Sequence, residues 1–210
     1  MSPRTPERRV SKARGSVAGS GGRVVLGVTG GIAAYKSAEI IRGLRREGVE
    51  VHVLMSERAR QFITPLTLQT LSGYRVLFDP WDLTHGADIQ HITLARDLDA
   101  FLVAPATADV LAKMAHGLAD DAVTTFHLAV TAPVLVAPAM NVWMWEHPAT
   151  QGNLKLLKGR GVHVIDPEVG DLACGEEGLG RMAEPSEIVR EVLTRLKKKA
   201  RARLRVAASS

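Results

Sequence analysis

The chain has 210 residues, of which 46% are hydrophobic, 23% charged and only 4% aromatic. No apolar run approaches the roughly 18 residues that a membrane span needs, and the basic N-terminus lacks the apolar block of a secretory signal. We therefore expect no membrane partner. Because a single cysteine cannot form an internal disulfide, we also expect a protein of the reducing cytoplasm.

The net charge of +5 is concentrated at the two ends of the chain. Residues 1–23 carry six basic residues and one acid, and residues 195–205 carry seven basic residues and no acid. Since these ends contribute +5 and +7, the body between them carries about −7. We therefore predict a disordered basic extension over 1–22, a folded domain over 23–195, a basic tail over 196–210 and no nucleic-acid partner.

The folded part begins with a strand, a glycine turn, a helix and a second strand. The strand covers 24–28 and ends in Thr29-Gly30-Gly31, apolar residues then recur at helical spacing over 32–44, and residues 49–55 alternate as a strand. This order is typical of a parallel sheet.

The alternation of strands and helices continues to the end of the domain. Further strands are predicted at 101–104, 133–137 and 162–165, helices near 107–116, 120–130, 148–159 and from 185 onward, and a glycine-rich loop over 170–180. The sequence therefore predicts one α/β domain, a doubly wound (Rossmann or flavodoxin-like) parallel sheet with helices on both faces. Ligands of such sheets bind beyond the carboxyl ends of the strands.

The first candidate site is the Gly30-Gly31 turn. Adjacent glycines bring backbone N–H groups close to a ligand, and a following helix N-terminus favours a phosphate. The spacing is not that of a dinucleotide fingerprint, and Ser56 stands where that fingerprint expects an acid after the second strand. The turn therefore either binds the phosphate of a mononucleotide or has a purely structural role, and both interpretations stay open.

Polar residues also follow the next two strands. Thr107 and Asp109 either cap the helix that begins there or face a ligand. Asn141 either forms an Asx-turn or binds a carboxylate through its amide.

His91 and Cys174 are the remaining candidates. A lone histidine is usually a packing or surface residue, and a lone cysteine is usually an inert buried thiol. The glycine-rich surroundings of Cys174 are, however, typical of an active-site flap. No His or Cys pair has the spacing of metal ligands, so we expect no metal.

Taken together, these segments resemble the flavin-dependent cysteine decarboxylases, in particular those of coenzyme A biosynthesis. The resemblance covers about residues 23–195. It rests on five segments in order: GGIAAYK at 30–36, HI at 91–92, PATAD at 105–109, PAMN with MW between 138 and 145, and ACG through GRM between 173 and 182.

The resemblance implies a bound flavin mononucleotide (FMN) and a role for each matching residue. Three residues would be catalytic: His91, Asn141 and Cys174. The cofactor would contact Gly30, Gly31, Ile32, Ser56, Thr107, Ala108, Asp109 and Ala139. The substrate would contact Asn141, Met144 and Lys36.

The implied reaction is the decarboxylation of 4′-phosphopantothenoylcysteine to 4′-phosphopantetheine through thioaldehyde and enethiol intermediates. His91 would assist proton removal, Asn141 would orient the carboxylate, and Cys174 would donate a proton to the enethiol. Members of the family form homotrimers, or homododecamers built from them, with active sites between subunits. The chain has no room for the ligase domain of the bifunctional relatives. Either a separate phosphopantothenate–cysteine ligase is its partner, or the chain is a stand-alone relative with another substrate.

Four alternatives stay open at this level. Peptidyl-cysteine decarboxylases stop at the enethiol and lack the reducing cysteine. The others are a flavin prenyltransferase, a non-catalytic flavin-binding regulatory protein and a flavodoxin-like electron carrier. The combination of His91, Asn141 and Cys174 favours the coenzyme A reaction over all four.

Overall fold

A computed structural model describes residues 21–78, 94–95, 98–171 and 177–207 of the chain. The predicted catalytic residues His91 and Cys174 lie outside the described residues, as does nearly all of the predicted extension over 1–22. No helix in the described part is long and apolar enough to cross a membrane.

The described chain alternates strands and helices. The strands are β1 Arg23–Val28, β2 Glu50–Met55, β3 Ala100–Ala106, β4 Val134–Pro138, β5 His163–Val164, β6 Glu168–Asp171 and β7 Glu177–Arg181. The α-helices are α1 Ser37–Arg46, α2 Pro65–Ser72, α3 Ala108–His116, α4 Ala122–Ala129, α5 Val142–Glu146, α6 Pro148–Gly159 and α7 Pro185–Ala207. Two 3-10 helices cover Ile32–Lys36 and Glu57–Gln61.

Five of the strands form one parallel sheet in the order β2-β1-β3-β4-β5. Leu26 of β1, for example, lies opposite Val53 of β2 and Leu102 of β3. This is the flavodoxin-like strand order, which confirms the predicted fold class. In this order β1 lies between β2 and β3. Successive strands are therefore added to one side of β1 first and to its other side from β3 onward, although all five strands are parallel.

A hydrophobic core covers each face of the sheet because successive strand residues point to opposite sides. Leu26 of β1 packs with Ile40 of α1 and Ile188 of α7 on one face. Val25 of β1 packs with the residues of α3, α4 and α6 on the other, among them Phe126. The helices on both faces confirm the doubly wound arrangement.

The structure corrects three details of the sequence-based prediction. The glycine-rich segment is not simply a loop, because β6 and β7 pair as an antiparallel hairpin on either side of residues 172–176. The helix expected from residue 32 begins as a 3-10 helix, and α1 itself starts only at Ser37. Helices α2 and α5 were not predicted.

Helix α7 extends through most of the segment that we assigned to a basic tail. Its Lys199 donates to the carbonyl of Leu98 at 2.6 Å and pairs with Asp99 at 3.4 Å. Asp99 in turn accepts from the backbone N–H of Arg23 at the start of β1. The helix is thus attached to the end of the sheet at which the strands begin. The domain boundaries themselves remain a prediction.

Candidate functional site

A cleft of about 1020 Å³ opens at the carboxyl ends of β1, β2, β3 and β4. It lies at the point where the strand order reverses between β1 and β3, which is where open α/β sheets bind their ligands. The volume is at the upper end of the range for small-molecule and cofactor sites. Within the described residues, no group of His, Cys, Asp and Glu is arranged to hold a metal ion.

All eleven predicted site residues that the structure describes line this one cleft. They are Gly30, Gly31, Ile32, Lys36, Ser56, Thr107, Ala108, Asp109, Ala139, Asn141 and Met144. The structure therefore brings together segments that are up to about a hundred residues apart in the sequence. Their individual roles remain predictions.

Thr29, which the sequence analysis did not single out, ties two of these segments together. Its buried hydroxyl donates to the carbonyl of Pro105 at 2.6 Å and accepts from the backbone N–H of Thr107 at 3.3 Å. Ser37, at the start of α1, donates to the carbonyl of Ala104 in the same region. These bonds fix the turn after β1 against the turn after β3.

Ser56, the first residue after β2, has a buried hydroxyl that no protein group in the described part of the chain satisfies. The residue is 8% exposed, and its Oγ is buried without a hydrogen-bond partner in the described structure. Buried hydroxyls are nearly always hydrogen-bonded, so an orphan that lines a cleft indicates a polar group bound there.

Gly30 must be a glycine because the backbone at Arg58 packs closely against it, whereas the sequence analysis related this glycine to a bound ligand. Its φ is not positive, so the turn itself does not demand glycine. A Cβ on Gly30 would instead lie 2.5 Å from the Cβ and 3.0 Å from the carbonyl carbon of Arg58. The absence of a side chain at Gly30 therefore lets the segment after β2 close onto the segment after β1.

Thr107 caps α3, as the sequence suggested. Its Oγ1 accepts from the N–H of Val110 at 3.3 Å. Lys113, one helical turn after Asp109, pairs with Asp109 at 3.2 Å and with Asp120 at 3.0 Å. Burial acts to lower the pKa of Lys113, but the hydrogen bonds to these two carboxylates outweigh it and raise the pKa above its ordinary value. Lys113 therefore stays charged and its charge is balanced.

Asn141 caps α5, and the hairpin of β6 and β7 lies directly against its segment. Its Oδ1 accepts from the N–H of Trp143 at 2.8 Å, so the Asx-type cap is present while the residue also lines the cleft. The N–H of Met140 donates to the carbonyl of Gly180 at 3.0 Å. The position of Asn141 thus depends on the hairpin.

Lys36 enters an ion-pair network with the hairpin and the start of α7. Its Nζ lies 3.2 Å from Glu184, which also accepts from Arg181 at 2.7 Å. Arg181 lies 3.2 Å from Glu168, and the backbone N–H of Glu184 donates to the same carboxylate. That N–H and the Arg181 guanidinium hold the pKa of Glu168 below its usual range.

Several large apolar side chains are exposed around the cleft. Ile32 and Tyr35 are 60% and 54% exposed on one side, and Trp143 and Met144 are 69% and 48% exposed on the other. Ile32, Tyr35 and Met144 also line the cleft, and Trp143 is the sequence neighbour of Met144. These four exposed side chains, which we call the apolar rim, flank the cleft, where burial against a ligand or a protein would remove them from water.

Comparison with known proteins agrees with this arrangement. The protein family described as Flavoprotein matches residues 14–197. The coenzyme A biosynthesis bifunctional protein CoaBC of Escherichia coli (strain K12) is 49% identical over 170 residues, which are 81% of this chain and 42% of that protein. The chain thus spans about two fifths of the length of the curated relatives that it matches.

Two solved structures share the fold at similar coverage. A cysteine-to-serine mutant of PPC decarboxylase, complexed with pantothenoylaminoethenethiol, has a TM-score of 0.75 and 34% identity over 81% of this chain and 96% of that chain. The FMN-dependent cysteine decarboxylase SpaF has a TM-score of 0.73 and 30% identity over 85% of this chain and 97% of that chain. With a family match over nearly the whole chain and a cleft at the flavodoxin-like switch point, this chain belongs to the Flavoprotein family.

Proposed function

We propose that this protein decarboxylates 4′-phosphopantothenoylcysteine to 4′-phosphopantetheine with bound FMN, as a carboxy-lyase of coenzyme A biosynthesis. The observation that carries the proposal is the convergence of eleven predicted cofactor and substrate residues in one cleft at the β1/β3 switch point. The similarity to CoaBC and to PPC decarboxylase supports the reaction, and the similarity to SpaF supports FMN.

The described residues fit an FMN molecule. The buried, unpartnered Oγ of Ser56 offers a hydrogen bond to a phosphate at the β2 side of the cleft. The turns at Gly30-Gly31 and at Thr107 face the middle of the cleft, with Ala108 and Ala139 as small apolar contacts. We therefore assign these residues to the cofactor, with its phosphate at Ser56.

The substrate belongs at the opposite side, near Asn141 and Met144. Across three strand spacings, the β4 side of the cleft is about 14 Å from the β2 side. Asn141 holds the substrate carboxylate through its amide while its Oδ1 keeps the helix cap. Met144 covers the substrate, and Lys36 contacts it from the Glu184 side of the cleft.

The chemistry divides between cofactor and protein. When bound, FMN supplies a hydride acceptor and donor, which makes the net reaction redox-neutral. His91 takes up the proton that leaves the substrate as its CH₂–SH group becomes a thioaldehyde. The thioaldehyde carbon lies β to the carboxylate and accepts its electrons, so the bond to carbon dioxide breaks and an enethiol forms. Cys174 then donates the proton that accompanies hydride return, which yields the saturated thiol.

The active protein is a homo-oligomer of the cytoplasm, either a trimer or a dodecamer built from four trimers, whose subunits share active sites. The exposed apolar rim formed by Ile32, Tyr35, Trp143 and Met144 supports this, because such a rim is suited to burial against a second copy. The ligase that supplies the substrate is either a further domain, as in the bifunctional relatives, or a separate protein.

The proposal is tested by purifying the protein and incubating it with 4′-phosphopantothenoylcysteine while products are followed by mass spectrometry. We expect a yellow protein with bound FMN that forms 4′-phosphopantetheine. A yellow protein that leaves this substrate untouched but acts on a peptide with a C-terminal cysteine would move the assignment to peptidyl-cysteine decarboxylation. A colourless protein that cannot be reconstituted with FMN would refute flavin catalysis altogether.

Two variants test the residues outside the described part of the chain. His91→Asn is expected to abolish turnover and to retain FMN. Cys174→Ser is expected to release carbon dioxide and to accumulate the enethiol, which is the type of ligand held by the cysteine-to-serine mutant of PPC decarboxylase. Normal turnover in either variant would remove that residue from the mechanism.

A further inference from the structure

Four basic side chains line the cleft, and three of them are already paired with carboxylates. Lys36 is held by Glu184, Lys113 by Asp109 and Asp120, and Arg181 by Glu168 and Glu184. Within the described ranges, Arg58 is the one cleft cation without an ion pair or hydrogen bond to a carboxylate.

Arg58 lies where the segments after β1 and β2 meet. It sits on the 3-10 helix Glu57–Gln61, two residues after Ser56, and is exposed. The closest approach of its Cβ to Gly30 leaves no room for a side chain there, so the base of Arg58 is fixed against the Gly30 turn. The side chain of Arg58 therefore starts from a fixed point in the lining of the same cleft as Ser56, whose Oγ is buried without a hydrogen-bond partner among the described residues.

The acid next to Arg58 in the sequence is already paired with another cation. Glu57, which also lines the cleft, is held by Arg60 through two hydrogen bonds of 3.0 and 2.8 Å. Arg60 is itself placed over the ring of Phe78 at 4.6 Å. The negative charge of Glu57 is thus balanced on its own helix, and the positive charge of Arg58 remains available to the cleft.

We propose that Arg58 binds the phosphate of the mononucleotide cofactor, together with the hydroxyl of Ser56. This inference rests on the proposed FMN site and adds a residue to it. A phosphate monoester carries close to two negative charges at neutral pH, and one serine hydroxyl cannot balance them. A guanidinium presents paired N–H donors that match phosphate oxygens, which makes arginine suited to this position.

The proposal predicts a loss of affinity that is specific to the phosphate. In the apoprotein, Arg58→Gln is expected to weaken FMN binding by about tenfold, because a charged hydrogen bond at an exposed position is worth less than one in a buried site. Riboflavin, which has the same ring and no phosphate, is expected to bind the variant and the wild type equally. Arg58→Lys is expected to retain part of the preference for FMN.

The measurement is a titration of FMN and riboflavin by flavin fluorescence, at about 50 mM and about 500 mM salt. Wild type, Arg58→Gln and Arg58→Lys are compared with Arg46→Gln. Arg46 is an exposed cation in the last turn of α1, outside the cleft. Its loss changes the net charge equally and is expected to leave both affinities unchanged. The salt dependence of FMN binding is expected to fall in Arg58→Gln alone.

Each outcome separates this inference from the function on which it rests. If wild type prefers FMN over riboflavin and Arg58→Gln keeps the same preference, the role of Arg58 is refuted while the FMN site stands. Equal weakening of both flavins would also overturn it, since Arg58 would then only support the turn. If wild type binds neither flavin, the proposed cofactor itself is wrong. Circular dichroism of each apoprotein shows whether it is folded, and Arg58→Lys provides the test should Arg58→Gln be unfolded.

Discussion

The contact between the hairpin and the Asn141 segment can be tested by adding one methyl group at Gly180. The residue is buried in β7 with φ +153, a conformation that L side chains rarely adopt. A Cβ there would lie 2.3 Å from the carbonyl oxygen of Met140. Gly180→Ala therefore forces either the hairpin or the Met140 backbone to move, and with it the cap residue of α5.

The size of the effect follows from two contributions. Backbone strain in a glycine-only region costs about 1–3 kcal/mol. The hydrogen bond from Met140 to Gly180 contributes about 1 kcal/mol, which is lost when the two backbones separate. Together they predict a decrease of roughly 2–4 kcal/mol in the free energy of unfolding, or about 5–15 °C in Tm for a domain of this size.

Thermal and urea denaturation of the apoprotein measure the loss, and hydrogen–deuterium exchange of the Met140 amide shows where it occurs. Gly152→Ala is the matched control, because a Cβ on Gly152 in α6 would meet nothing within 4 Å. That change is expected to stabilise the protein by up to about 1 kcal/mol through helix propensity. If Gly180→Ala keeps wild-type stability and wild-type exchange at Met140, the hairpin does not hold this segment and the reasoning fails.

Three further changes address other parts of the molecule. Thr29→Val leaves the carbonyl of Pro105 without its donor and is expected to lower the unfolding free energy by about 1–3 kcal/mol in urea; a loss below about 0.5 kcal/mol would contradict this. Burial lowers the pKa of His52 below 6.5, although the Glu50 carboxylate acts to raise it. As the pH falls below 6.5, the unfolded chain binds a proton at His52 before the folded protein does, so the free energy of unfolding decreases. His52→Gln is therefore expected to flatten the dependence of the unfolding free energy on pH between about 7 and 5, by at most about 1.4 kcal/mol per pH unit, and an unchanged slope would refute the assignment. Asn141→Asp keeps the cap acceptor but opposes the substrate carboxylate, so turnover is expected to fall about 100-fold with stability nearly unchanged, whereas full turnover would exclude carboxylate binding.

The sheet could be predicted from the sequence because its signals are local. The strands β1, β3 and β4 contain mainly apolar runs, as buried parallel strands require, and β2 shows the alternation of a strand. Since the carboxyl ends of parallel strands lie at the same end of the sheet, the sequence places residues such as Ser56 and Asn141 in one ligand-binding region, and both line the cleft. Local pattern and the rules of parallel sheets were sufficient for this part.

The remaining features depend on partners far apart in the chain. The hydroxyl of Thr29 bonds a carbonyl 76 residues away, and Lys36 reaches a carboxylate 148 residues away. No local pattern identifies such a pair. The hairpin was missed because its glycines, Gly178 and Gly180, are typical of loops, whereas the structure uses them to bring β7 against the α5 segment.

The sequence did contain a signal for Arg58. It lies two residues after Ser56, at the carboxyl end of β2, and the rule that led to Ser56 applies to it equally. What the sequence could not give is the balance of charge in the cleft. Only the contacts of the other cations, such as Lys113 with its two carboxylates, distinguish Arg58 from them.

The attachment of α7 has a consequence for how this domain can be joined to others. The helix begins at Pro185 beside the cleft and reaches Lys199 at Asp99, where the backbone of Arg23 is also held. These fifteen residues rise about 22 Å, which carries the chain from the carboxyl ends of the strands to their amino-terminal ends. Both ends of the domain therefore emerge on the side remote from the cleft. A fluorescent label or a second enzyme fused at either end would therefore be attached at the end of the sheet opposite the cleft.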